Sequence, residues 1–178
     1  MSKALRCWVA GPVAAALALG GCSDGNGPAI SAGPLGADIG PGSSLECVPA
    51  AAAGQYTVGL RVLSNPARQD AVLSSVQVLG ADGLELVEAV VLPVQRMATG
   101  SQASWPPAAV EPQRWAQAVP LDGARVPAGS HLGTEVVAHV SATAGPPGSL
   151  TGFIVRYEVG GAPYAAQVPY GFEVREAC

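Results

Sequence analysis

The sequence predicts a single all-β domain, an antiparallel β-sandwich of immunoglobulin-like architecture, with a small β-barrel as the alternative. Three observations lead to this prediction. Charged residues make up only 12% of the chain, whereas long surface helices need a charged outer face. Glycine (23) and proline (16) are frequent, and both favour short strands joined by turns. Several segments alternate apolar and polar residues with the period of two that is typical of half-buried strands.

The first predicted strand is Tyr56–Leu63. Asn65-Pro66 follows it and breaks the pattern, as expected for a turn. Thr57 and Gly59 are expected on the outer face. The predicted inner face consists of Tyr56, Val58, Leu60 and Val62.

The next two apolar runs lie on either side of Asp82-Gly83. Because Asp-Gly between apolar runs favours a type I′ turn, the sequence predicts a two-residue hairpin here. That register pairs Val78 with Val87 and Val76 with Ala89, and it places these side chains and Val91 on one face.

A further strand is predicted over Thr134–Thr143. Its alternation directs Val136, Ala138 and Val140 into the core, with Val137 partly covered. The polar residues of this strand are expected to face solvent, namely Glu135, His139 and Ser141.

The last hairpin has the strongest local support. A two-residue turn at Gly160-Gly161 brings the apolar faces of both flanking strands together without adjustment. The pairs it predicts are Tyr157 with Tyr164, Val155 with Ala166, and Phe153 with Val168.

Residues 1–21 have the pattern of a secretory leader. A basic head with Lys3 and Arg6 precedes an apolar run from Trp8 to Leu19, and small residues close it. That run is shorter than the roughly 20 apolar residues of a membrane-spanning helix. We therefore expect this segment to be removed.

The leader ends in Leu19-Gly20-Gly21-Cys22, which resembles the lipobox of bacterial lipoproteins. The resemblance covers residues 1–22 only, and Gly20 departs from the more usual alanine or serine. It implies a diacylglycerol on the Cys22 thiol, cleavage before Cys22, and a protein anchored in the cell membrane on its extracytoplasmic side. No cofactor other than this lipid is expected. An ordinary signal peptide with an incidental cysteine is the alternative.

Residues 22–46 are rich in Gly, Pro and Ser and contain no aromatic residue, so they are predicted to be a disordered tether. The folded domain is expected over residues 47–178. Two cysteines remain for this domain, Cys47 and Cys178, and an exported compartment is oxidising. A disulfide between them would join the two ends of the domain.

The proline-rich segment 95–130 contains Trp105 and Trp115. A long irregular segment in a compact domain is usually functional or disordered. The two tryptophans are expected to fold back and cover one end of the sandwich, or alternatively to form an exposed aromatic binding surface.

Residues 22–178 carry seven arginines, no lysine and 13 acidic residues, a net charge of −6. Nucleic acid is therefore not an expected partner. No catalytic motif is present, and the chain is not expected to be an enzyme. His131, His139 and Met97 are weak candidates for a copper site, and Asp82, Glu85 and Glu88 for a cation site. The expected function is a non-catalytic binding module that contacts an envelope protein or a glycan. A metal carrier or an enzyme with an unrecognised site is the alternative.

Overall fold

Two β-sheets contain nearly all the regular structure of the computed structural model, which describes residues 33–37, 45–94 and 98–178. Cys22 and the rest of the predicted leader lie outside these ranges. In chain order the elements are β1 (Gly36–Ala37), β2 (Leu45–Pro49), β3 (Gln55–Asn65), β4 (Ala71–Leu79), β5 (Leu84–Pro93), β6 (Ser101–Gln102), α1 (Pro112–Trp115), β7 (Val119–Pro120), β8 (Arg125–Val126), β9 (Ser130–Ala142), β10 (Gly148–Val159) and β11 (Ala162–Arg175).

The strands divide between two sheets in a way that confirms an all-β fold. Sheet I has the order β1-β3-β9-β5-β7, with β6 also paired to β3, and sheet II has the order β2-β11-β10-β4-β8. The prediction of purely antiparallel sheets is wrong at one place, because β2 runs parallel to β11. A parallel pair needs a long connection, and here nearly the whole domain lies between the two strands. Sheet II is therefore mixed, and it curls like half a barrel.

One apolar core joins the inner faces of the two sheets. Sheet I contributes Val136, Ala138 and Val140 of β9, as the alternation predicts. Sheet II contributes the apolar faces of β10 and β11, where the predicted pairs of the Gly160-Gly161 hairpin are confirmed residue by residue. Both turn glycines have positive φ, 60° and 80°, as a type I′ turn requires.

The predicted hairpin at Asp82-Gly83 is wrong. Strand β4 before it pairs with β10 in sheet II, whereas β5 after it pairs with β9 in sheet I. The Asp-Gly turn is therefore a corner between the sheets, held by paired backbone hydrogen bonds between Asp82 and Ser149. Val87, expected in the core, is 52% exposed because the β5–β9 register shifts beside it.

A second register shift changes the inner face of β3. Tyr56, Val58 and Leu60 are buried as predicted, but the pairing with β9 shifts between Gly59 and Arg61. Such an irregularity reverses the alternation beyond it. Leu63 is consequently buried, and Val62, which was predicted to be buried, is only half-buried.

The folded domain begins earlier than residue 47. Residues 33–37 belong to the predicted tether, yet β1 pairs with the last residues of β3, Gly36 with Ser64 and Ala37 with Leu63. Leu35 is buried, and its backbone N–H donates to the Tyr157 hydroxyl at 3.1 Å. Part of the predicted tether is thus a docked strand.

The predicted disulfide between Cys47 and Cys178 is present. It joins the edge strand β2 to the last residue of the chain. Since the two cysteines are 131 residues apart in sequence, the bond closes a loop that contains almost the whole domain.

Candidate functional site

The strands run between two ends of the fold that differ in character. One end carries the loops 50–54, 80–83 and 143–147, and we call it the cleft end. The other carries the loops 66–70 and 127–129 and the Gly160-Gly161 turn, and we call it the turn end. Because β1 pairs with the last residues of β3, the docked segment 33–37 lies at the turn end.

An apolar cleft of about 350 Å³ opens at the cleft end. Its floor is formed by Tyr56, Leu84 and Val174, which are buried core residues. None of its lining residues is charged. The walls are small residues from three loops and the adjoining strand ends: Ala50, Ala51, Ala52, Ala53, Gly54, Gly83, Ala142, Ala144, Gly145, Pro146 and Gly148.

Hydrogen-bonding groups at the cleft come mainly from the backbone. The Tyr56 hydroxyl accepts the Ala51 N–H at 3.1 Å, and Ala142 N–H donates to the Gly54 carbonyl at 2.8 Å. Within the described chain, the N–H groups of Ala52, Ala53 and Gly145 donate to no protein acceptor. The cleft therefore combines an apolar floor with lining residues whose amides are unpaired within the described chain, a composition that suits a recognition pocket.

A smaller charged groove of about 160 Å³ adjoins the cleft and shares Gly148 and Val174 with it. Asp82, Glu173 and Arg175 line the groove. Glu173 and Arg175 form an ion pair, whereas the Asp82 carboxylate has no partner among the described side chains and is exposed. A charged compartment and an apolar one thus lie side by side.

Trp105 and Trp115 lie together on the outer face of sheet I. Their rings meet edge to face with centroids 5.0 Å apart, and both pack on the buried residues Val90, Leu92 and Val137. They belong to residues 98–118, which we call the covering segment. The two tryptophans fold back over the sheets as predicted. They cover the outer face of sheet I, however, and not one end of the domain. A role of the two rings in binding stays a prediction.

The covering segment buries the face of β9 that was predicted to be exposed. His139 is only 8% exposed, and its ring stacks on Trp105 at 4.5 Å and 5°. Its two nitrogens face Gln55 and Glu88. The orientation of His139 was thus predicted correctly, but its exposure was not.

Glu135, also expected to face solvent, is fully buried. It forms an ion pair with Arg114 of the short helix α1, and it accepts the Thr99 N–H. Sequence analysis missed Arg114 because nothing in the surrounding residues indicates that its side chain reaches β9. Thr99 lies near the start of the covering segment and Arg114 near its end. These contacts therefore hold both ends of the segment against sheet I.

The candidate metal ligands do not come together. His131 is exposed and lies eight residues before His139 on the same strand, so about 26 Å separates them. Met97 lies outside the described residues. In the described ranges, no three His, Cys, Asp or Glu side chains form a group that could hold a metal ion. Asp82, Glu85 and Glu88 therefore do not form such a group.

The helix α1, which lies in the covering segment, has four residues. Among the residues that the structure describes, no helix has the length and apolar character needed to cross a membrane.

No protein-family model, curated protein or solved structure matches this chain. The interpretation of its function therefore depends on the residues and their geometry.

Proposed function

We propose that this protein is a lipid-anchored, extracytoplasmic binding module of the cell envelope, with an immunoglobulin-like β domain held on the membrane through a diacylglycerol on Cys22. The apolar cleft is its binding surface, and it acts without catalysis. Its partner is an envelope protein or glycan, of which the cleft favours a protein.

The observation that carries this proposal is the position of the docked segment relative to the cleft. Gly33 packs against Tyr157 and Tyr164, and β1 pairs with the last residues of β3, so the chain joins the domain at the turn end. Residues 22–32 span at most about 40 Å when fully extended. The turn end would then face the membrane, and the cleft would point away from it, toward a partner.

The disulfide supports an extracytoplasmic location. Disulfides persist in oxidising compartments and are rare in reducing ones. Cys47 and Cys178 are both exposed, so burial does not protect their bond from cellular reductants.

The lining of the cleft supports binding over catalysis. Among its lining residues the only side chain with a hydroxyl or titratable group is Tyr56, and its oxygen already accepts the Ala51 N–H. A catalytic site needs several convergent acid, base or nucleophilic groups, whereas an apolar recognition pocket needs few polar groups.

The lipid anchor is tested by fractionating cells that express the full chain or Cys22→Ser. The full chain should be found in the membrane fraction with a diacylglycerol on its N-terminal residue by mass spectrometry. Cys22→Ser should lose both the lipid and the cleavage. Cys47→Ser is the matched control, since it should keep the lipid. An unmodified Cys22 in the wild-type protein would refute the anchor.

The absence of lysine after Lys3 sharpens this test. In the mature chain the only primary amine is the α-amino group of Cys22. An amine-reactive reagent should therefore label the mature protein at Cys22 alone, or nowhere if that amine is acylated. Labelling of an uncleaved chain at Lys3 would contradict processing at Cys22.

A further inference from the structure

We infer that the cleft and the charged groove together recognise an extended protein segment in which a bulky apolar residue lies two positions from a lysine or arginine. This inference rests on the proposed function and names the chemistry of its partner. It follows from three features of the cleft end: an uncharged pocket, unpaired amides among its lining residues, and excess negative charge beside it.

The size and lining of the cleft select the apolar residue. Its volume of about 350 Å³ is at the lower limit of ligand pockets, roughly 300–1,000 Å³, so it suits one or two side chains. A charged group placed against Tyr56, Leu84 and Val174 would lose its hydration without a compensating partner. A Phe, Trp or Leu side chain instead gains free energy when its apolar surface leaves water.

The free amides favour a peptide over a lipid chain. Ala52, Ala53 and Gly145 line the cleft, and their N–H groups donate to no protein acceptor within the described residues. An extended peptide carries carbonyl oxygens that can accept such hydrogen bonds, whereas an acyl chain carries none.

The charge of the neighbouring groove selects the basic residue. Among the described residues, Asp82 and Glu173 face a single cation there, Arg175, which already pairs with Glu173. The carboxylate of Asp82 is thus available to a partner. The same end carries the exposed residues Glu85 and Glu176. Complementary charge gives specificity and faster association.

The shared wall explains why both residues belong to one segment. Gly148 and Val174 line the cleft and the groove at once. At Gly148 an added Cβ would lie 2.9 Å from the Leu84 side chain, so this shared position has no room for a side chain. Side chains two positions apart on one extended segment point to the same side, about 7 Å apart, so they can enter the two compartments together.

The test uses the mature, lipidated protein in detergent and a library of acetylated, amidated heptapeptides that varies three central positions. Selected peptides should combine Phe, Trp or Leu with a Lys or Arg two positions away. Their Kd should rise at least tenfold in Ala53→Trp and in Ala144→Trp, which fill the cleft. Ala128→Trp, an exposed position at the turn end, is the matched control and should leave the Kd unchanged.

A second pair of variants tests the charge. Asp82→Asn should reduce the preference of the protein for peptides with Arg over peptides with Gln at the basic position by about threefold or more. It should also weaken the salt dependence of peptide binding. Glu158→Gln, an exposed position at the turn end, is its control and should leave both unchanged. Measurement of circular dichroism and unfolding for every variant establishes that each is folded.

The outcomes separate the two proposals. If the selected peptides need only the apolar residue, and bind wild type and Asp82→Asn equally, this inference is wrong. The cleft would still be the binding surface. Binding insensitive to both cleft-filling variants would overturn the cleft itself. If no peptide is selected, the inference fails, while the lipid anchor is decided independently by the fate of Cys22.

Discussion

Arg114 and Glu135 form an ion pair in which both side chains are almost completely buried, with 7% and 1% of their surfaces exposed. Glu135 lies in β9 at the centre of sheet I, whereas Arg114 belongs to α1 in the covering segment. The Arg114 Nε has no hydrogen-bond partner in the part of the chain that the structure describes, so the pair is incompletely satisfied there. Burial of such a pair gives little net stability but strongly penalises any arrangement that separates the two charges. We interpret this pair as the contact that fixes the position of the covering segment.

Removal of one partner of this pair should destabilise the fold strongly. Glu135→Leu leaves the Arg114 guanidinium buried without a counter-charge, and the expected loss is about 3–5 kcal/mol in the free energy of unfolding. The double variant Arg114→Met/Glu135→Leu should recover most of this loss because no charge remains buried. Urea unfolding followed by circular dichroism measures both.

The exposed ion pair Arg125–Asp70 provides the control. Its charged atoms are 3.6 Å apart, and its side chains are 67% and 43% exposed. Because water screens such a pair, Arg125→Ala should cost less than about 1 kcal/mol. If the double variant is as unstable as Glu135→Leu, the buried charge is not the cause of the destabilisation.

The packing of Trp105 predicts both a stability effect and a spectroscopic one. Trp105→Ala removes the contacts with Trp115 and His139 and uncovers Val137, which is 0% exposed. The expected loss is about 2–3 kcal/mol, lower than for a fully buried tryptophan. In the mature protein, whose tryptophans are Trp105 and Trp115, the emission should be blue-shifted and resistant to acrylamide.

A surface residue of the same sheet serves as the control for this substitution. Val119 is 49% exposed, so Val119→Ala should change the free energy of unfolding by about 0.5 kcal/mol or less. Emission at the wavelength of free tryptophan, quenched freely, would contradict the packed arrangement and favour an exposed aromatic surface.

The contrast between two glycine turns shows how much of this fold the sequence predicts. At Gly160-Gly161 the turn and the two apolar faces agree, and every predicted pair is confirmed. At Asp82-Gly83 the turn chemistry is equally favourable, but the flanking strands pair with β10 and β9 instead of with each other. Local patterns identify turns and strands well, whereas the choice of partner strand depends on contacts that are distant in sequence.

The candidate site was less predictable for a related reason. A period of two indicates which side chains share a face, so Glu135 and His139 were assigned to the same side of β9 correctly. It does not show whether another segment covers that face. The cleft is lined mostly by alanine and glycine from loops that meet only in the folded chain, and such residues carry no sequence signal for binding.

The Gly160-Gly161 turn should tolerate only residues that accept positive φ. Gly161 has a φ of 80°, and a Cβ there would meet no other atom within 4 Å, so any cost comes from the backbone alone. Gly161→Val should cost about 1–2 kcal/mol. Gly161→Asn should cost clearly less, because asparagine adopts this conformation more readily. Equal effects of the two substitutions on thermal unfolding would contradict this account of the turn.

The Cys47–Cys178 disulfide should stabilise the domain mainly by restricting the unfolded chain. For cysteines 131 residues apart, the chain-entropy treatment gives about 4–5 kcal/mol. Cys47→Ser/Cys178→Ser should lose stability on this scale, and hydrogen exchange should increase first in β2, an edge strand paired only with β11. Cys22→Ser, examined in the same buffer, should leave the unfolding free energy unchanged. A shift shared by both variants would contradict the assigned pairing.

Tyr157 should make the stability depend on alkaline pH. Burial raises the pKa of its hydroxyl, the Leu35 N–H that donates to its oxygen opposes this rise, and Tyr164 adds to it. Since the folded-state pKa lies above the value of about 10 in the unfolded chain, the unfolded state loses its proton first. Stability is therefore unaffected below about pH 10 and falls as the pH rises from there through the folded-state pKa.

Urea unfolding of the mature protein between pH 8 and pH 11 measures this dependence, with tyrosinate absorbance as the direct reading of titration. The mature chain has no lysine, so no lysine ammonium group titrates in the same range. Tyr157→Phe should lose about 1–2 kcal/mol at pH 8, because the Leu35 N–H loses its acceptor. The same variant should also show a shallower decline above pH 10. An unchanged decline in Tyr157→Phe would show that the alkaline dependence arises from other groups.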